Sequence, residues 1–133
     1  MKYRKGYKYQ LAEEFEIDTP IKPPTHIVTE YIILNHSGKM TIKKGYAWDG
    51  ASGPTVDSDN TMTPSLVHDA FAQLMREKQL HRSWRIPSNE FLDEMLEERG
   101  MGHSRRFIWL KALNEFGGPS TDPRNVKKVL EVV

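Results

Sequence analysis

Two short segments hold the side chains whose types and spacing could do chemistry. Trp48-Asp49-Gly50-Ala51-Ser52-Gly53-Pro54 combines small residues with an acid and a hydroxyl, and Ser65-Leu66-Val67-His68-Asp69-Ala70 carries an adjacent histidine and aspartate. Glycines let backbone amides approach a ligand closely, while Asp49 and Ser52 offer an acceptor and a hydroxyl, although a plain tight turn needs the same residue types. His68 is the residue of the pair suited to general-base or metal-ligand work, because an unperturbed imidazole titrates near neutrality. Consecutive residues on a helix diverge by about 100°. His68 therefore falls at the edge of an apolar stripe while Asp69 points to the polar side as a hydrogen-bond partner or helix clamp, and the two do not grip one ion together. In this reading Asp49 and His68 act as general base or metal ligands, Ser52 orients substrate, and one of the two loop side chains reaches His68 or Asp69. A plainer reading leaves His68 as a border histidine satisfied by a backbone carbonyl.

Several other constellations fail on their spelling. A serine-hydrolase elbow reads G-x-S-x-G, whereas Ser52 is followed directly by Gly53 and Pro54. Asp57-Ser58-Asp59-Asn60 opens like a calcium loop, but its sixth place is Met62 rather than glycine and its twelfth is His68 rather than glutamate. Metal-dependent phosphohydrolases with an H-D pair draw further ligands from helices, and here His26 and His36 lie in strand-like and turn-like sequence, leaving Asp93 without company. The chain has no cysteine, so thiolate zinc sites, iron–sulfur clusters and disulfides are excluded. A bound divalent ion would rest on imidazole and carboxylate, a donor set that suits zinc or manganese.

The elements that must position these residues change character along the chain. Strand-like sequence fills residues 1–45, a glycine-rich loop 46–62 and helix-like sequence 63–133, in one domain. Tyr7, Tyr9 and Leu11, then Phe15 and Ile17, recur with a period of two, as two strands or one bent strand. Pro20, Pro23 and Pro24 break that run. Thr25 to Leu34 is rich in β-branched residues and leads through Asn35-His36-Ser37-Gly38 to Met40 and Ile42, which predicts a hairpin. Thr63-Pro64 predicts a helix start ahead of Leu66, Val67, Ala70, Phe71, Leu74 and Met75. A second helix is expected from Pro87-Ser88 to Gly100 with Phe91, Leu92, Met95 and Leu96 on one face. The third is expected from Ser104 to Phe116 with Phe107, Ile108, Leu110, Leu113 and Phe116 as its apolar positions. Gly117-Gly118 stops it, and Asp122-Pro123 caps a short terminal helix bearing Val126, Val129 and Leu130. Arg76, Lys78, Arg82 and Arg85 read as an exposed basic helix end.

Composition narrows the function classes. The chain has 133 residues with 19 basic and 18 acidic side chains, so a whole-protein pull on nucleic acid or an anionic membrane is not expected. Lys2, Arg4, Lys5 and Lys8 alternate with Tyr3, Tyr7 and Tyr9, but Glu13, Glu14, Glu16 and Asp18 offset them. Leu, Ile, Val and Phe exceed the roughly one-fifth share below which a chain stays disordered. No apolar run approaches the roughly 20 residues of a membrane span, and no apolar signal core follows the charged start, which points to a cytoplasmic protein.

Taken in order, W-D-G-A-S-G-P, then S-L-V-H-D-A, then a helix with R-R-F-I-W and a closing glycine, the chain resembles the small phage and prophage family known as domain of unknown function thirteen fifty-three. The resemblance covers about Thr41 to Gly117. It implies a phage origin, and its pattern singles out Asp49, Gly50, Ser52 and Pro54 in the loop with His68 and Asp69 on the helix. The family usually has an aspartate at the start of the following helix, where this chain carries Asn89. An amide there could meet the same cleft but is a poorer metal ligand and no base.

The fold class expected is α+β, an N-terminal antiparallel sheet packed by three or four C-terminal helices. Two function classes fit. One is a small phage-type hydrolase of cell-wall peptide or phosphoester bonds, with Asp49, Ser52, His68, Asp69 and Asn89 in its site and a zinc or manganese ion held by His68 and Asp49. The other is a non-catalytic virion accessory, or a binder of a phage or host protein, in which the same residues form a hydrogen-bond clamp. Either places the chain in the host cytoplasm during infection or in the virion.

Overall fold

The structure is a computed structural model in which residues 9–48, 59–116 and 118–123 are described. These fall into two compact units, with strands in one and helices in the other. The expected α+β class holds, and every strand pairing is antiparallel.

In the strand unit, β1 (Tyr9–Gln10) pairs with β6 (Ala47–Trp48). A four-stranded sheet has the order β2-β5-β4-β3, from β2 (Phe15–Asp18), β5 (Lys39–Ile42), β4 (Ile32–Leu34) and β3 (Ile27–Val28). The period of two at Tyr9 to Ile17 therefore resolves as two strands in separate sheets, and residues 47–48, placed in the loop by their sequence, are a strand. The register sets Ile32 opposite Ile42 and Leu34 opposite Met40, so these four buried side chains share one face while Glu16 and Lys39 form an ion pair on the other. The Asn35-His36-Ser37-Gly38 hairpin turn is present, closed by Asn35 N–H donating to Lys39 O at 2.9 Å. Gly38 has φ +95°, and a Cβ there would lie 2.1 Å from the Thr19 carbonyl oxygen. Thr19 uses both its N–H and its hydroxyl on the Gly38 carbonyl, which is why the backbones approach so closely. The single strand expected over Thr25 to Leu34 is instead a hairpin of its own. Thr29 Oγ1 donates to Ile32 O and accepts from Ile32 N–H, a side-chain turn that β propensity alone does not reveal.

The helical unit contains α1 (Asp59–Arg76), α2 (Arg85–Glu98), α3 (His103–Phe116) and the single turn α4 (Gly118–Thr121). Leu66, Val67, Ala70, Phe71, Leu74 and Met75 are all buried, as their spacing predicts. Helix α1 starts four residues before the Thr63-Pro64 signal and takes Pro64 inside. That proline forfeits one hydrogen bond near the helix start, a loss the remaining turns outweigh. Similarly α2 starts before Pro87, because the first four N–H groups of a helix lack intrahelical acceptors and proline is tolerated there.

Helix α2 ends as Gly100 predicts. Gly100 has φ +88°, its N–H donates to Glu97 O and Met101 N–H donates to Leu96 O, a paired C-terminal closure. Helix α1 closes the same way on Lys78, with φ +61° and bonds from Lys78 N–H to Met75 O and Gln79 N–H to Leu74 O. The apolar face expected for α3 needs correction. Phe107 and Ile108 are 60% and 52% exposed, whereas Trp109 is buried with Leu92, Leu96 and Met101 and packs with Leu113. Arg106, Trp109, Leu110 and Leu113 follow the three-four spacing that faces α2, and the adjacent large apolar pair Phe107 and Ile108 between them misleads a wheel. The short terminal helix proposed around Val126, Val129 and Leu130 lies outside the described residues.

Candidate functional site

The helical unit brings His68, Asn89 and Asn114 into one hydrogen-bonded row. His68 Nε2 lies 2.6 Å from Asn89 Oδ1, and Asn89 Nδ2 donates to Asn114 Oδ1 at 2.9 Å. The three residues come from three helices, α1, α2 and α3. Asn89 is only 2% exposed, yet both of its amide atoms are paired, as a buried amide requires. It lies at the edge of the buried α2 face, three residues before Leu92 and seven before Leu96, and the packing of α1 against α2 brings it to His68.

His68 keeps part of its surface, but burial lowers its pKa below the usual histidine value, and the hydrogen bond to Asn89 partly opposes that shift. The ring is therefore neutral at neutral pH. With Asn89 Nδ2 committed to Asn114, its Oδ1 faces His68 as an acceptor, so Nε2 carries the imidazole proton and Nδ1 keeps the lone pair. Nδ1 is then the nitrogen able to accept a proton or hold a cation.

The remaining predicted residues are distributed as follows. Asp69 is half-buried on α1, next to His68 in sequence. Asp49 and Ser52, with Gly50 and Pro54, lie outside the described residues, and so does the expected contact between that segment and His68 or Asp69. Asp93 serves a different partner, since Arg106 Nη1 sits 3.2 Å from both of its carboxylate oxygens and 3.3 Å from Glu97. Among the described residues no group of three or more His, Asp and Glu side chains is placed to hold a metal ion. A recess lined by Asn89, Leu92, Asp93, Arg106 and Trp109 is too tight for a water molecule, and Trp109 Nε1 is buried without a hydrogen-bond partner.

Comparison with family models, with curated proteins and with solved structures finds no match. Among the described residues no helix is long and apolar enough to cross a membrane.

Sequence reasoning missed two sets of residues. Asn114 follows Leu113 and lies four residues after Leu110, so it borders the true α3 stripe; centring that stripe on Phe107 and Ile108 hides it. Of the four basic residues read as an exposed helix end, Lys78 and Arg82 are exposed as expected, but Arg82 and Arg85 also act as anchors. Arg85 Nη1 donates to the Leu113 and Asn114 carbonyls at 3.0 and 3.3 Å, at the α3 end where carbonyls lack intrahelical partners. Arg82 reaches Thr121 Oγ1 and Gly118 O, and Arg76 is buried.

Proposed function

We propose that this chain is a small phage-type hydrolase in which His68 is the general base and Asn89 its positioning residue. The observation that carries the reading is the 2.6 Å bond from His68 Nε2 to the buried Asn89 amide oxygen. A base held by an oriented acceptor, with its other nitrogen carrying the lone pair and its pKa lowered by burial, is ready to take a proton at neutral pH. The motif resemblance supports the phage origin, and the residue types of Asp49 and Ser52 support roles as metal ligand and substrate-orienting hydroxyl. Were a zinc or manganese ion bound, His68 Nδ1 would be one of its ligands instead of the base, because one lone pair cannot serve both.

A second reading is favoured by the burial of Asn89 and the pairing of both its amide atoms within the helical unit. There the row is a structural clamp in a non-catalytic virion accessory or host-factor binder, since a fully satisfied polar row specifies one packing of three helices. The deciding experiment assays cell-wall fragments and phosphoesters with wild type and His68→Gln, alongside thermal melts and metal analysis. Turnover in the wild type, lost in a His68→Gln variant that melts normally, supports the hydrolase. Absence of wild-type turnover together with marked destabilisation of the variant supports the clamp.

A further inference from the structure

We infer that Asn114, on α3, is the positioning residue that determines which nitrogen of His68 on α1 carries the proton, acting through Asn89. This rests on the reading of His68 as a base, because only then does the identity of the free nitrogen matter to function.

An amide presents an acceptor at one end and a donor at the other, so Asn89 could face His68 in either sense. Its pairing with Asn114 couples the two amides, so that Asn89 turns its oxygen to His68 when Asn114 turns its oxygen to Asn89, the arrangement seen here. Asn114 Oδ1 lies 2.9 Å from Asn89 Nδ2 and accepts from it, which leaves Asn89 Oδ1 facing His68 Nε2 at 2.6 Å. An oxygen acceptor requires a hydrogen on Nε2, and a neutral imidazole has only one. Nδ1 is then the basic nitrogen. Asn89 is buried, so water does not readily supply a substitute partner if Asn114 is lost, and its amide would become free to turn. The end of α3 that carries Asn114 is itself held, since Arg85 donates through Nη1 and Nη2 to the Asn114 carbonyl.

The test is nitrogen-15 NMR of histidine-labelled protein without substrate, which reads the protonated nitrogen of each imidazole directly and the rate at which its proton exchanges with water. Wild-type His68 is expected to carry its proton on Nε2, exchanging slowly. Asn114→Ala should accelerate that exchange by about five- to tenfold, the factor expected from one lost hydrogen-bond partner, and Asn114→Asp, which keeps an acceptor oxygen, should restore slow exchange. A wild-type proton on Nδ1 overturns the inference, as does unchanged exchange in Asn114→Ala. If Asn114→Ala does not fold, Asn114→Gln serves in its place, because its longer side chain displaces the acceptor while suiting a helix. Hydrolysis with an Nδ1-protonated His68 would refute this inference and spare the hydrolase reading, whereas an Nε2 proton in an inactive protein would do the reverse.

Discussion

Burial of His68 has a measurable consequence for stability. Its folded pKa lies below the usual 6.5 of histidine, so the unfolded chain takes up a proton more readily than the folded one. The stability associated with the neutral ring is fully present above the unfolded pKa. As pH falls below it the unfolded chain protonates first and stability declines, until the folded pKa is reached and the loss is complete. The limiting slope for one proton is about 1.4 kcal/mol per pH unit. The bond to Asn89 survives protonation, because Nε2 donates in both forms, and so it moderates the decline without reversing it. His68→Gln isolates the effect, since glutamine can still donate an amide hydrogen toward Asn89 Oδ1 but does not titrate. Urea unfolding of both proteins between about pH 7.5 and pH 5.5 should show the wild type losing stability relative to His68→Gln by up to about 1.4 kcal/mol. A difference that stays constant across this range, or that moves in favour of the wild type as pH falls, would refute the assignment of burial as the dominant influence on His68.

Two glycines with similar positive φ should respond unequally to alanine: Gly38→Ala meets the Thr19 carbonyl and should cost at least about 2 kcal/mol, whereas Gly100→Ala has open space and should cost about 1 kcal/mol. Thermal melts of the pair check this, and equal losses would contradict the close approach at Gly38. Lys78→Gly relieves a left-handed non-glycine residue at the end of α1 and should raise stability by up to about 1 kcal/mol in urea unfolding. Arg85→Met keeps the apolar stem but removes the donors to Leu113 and Asn114, and should cost about 1–3 kcal/mol by the same measurement.

Much of this was legible in the sequence where local chemistry and periodicity agree. The α1 stripe, the Gly100 closure and the Asn35–Gly38 turn each have a local cause, and each is present. Helix starts were less legible because proline within the first turns is tolerated, so Thr63-Pro64 and Pro87 look like boundaries that the helices ignore. The α3 face was misread because Phe107 and Ile108 are large and adjacent, while the choice of buried face depends on what α2 presents to it. His68 and Asn89 could each be placed at the margin of a stripe, but their meeting depends on how α1 and α2 pack, which no local spacing encodes. Asn114 and Arg85 are further removed still, since each acts on a helix far from it in sequence.

The central claim is that Asn89 holds His68, and a double-mutant cycle on these two residues tests it most directly. Unfolding free energies of wild type, His68→Ala, Asn89→Ala and the double variant should give a coupling energy of about 1 kcal/mol or more, as hydrogen-bonded neighbours in a buried row do. Losses that simply add would contradict the claim, showing that the two side chains contribute to the helical unit independently.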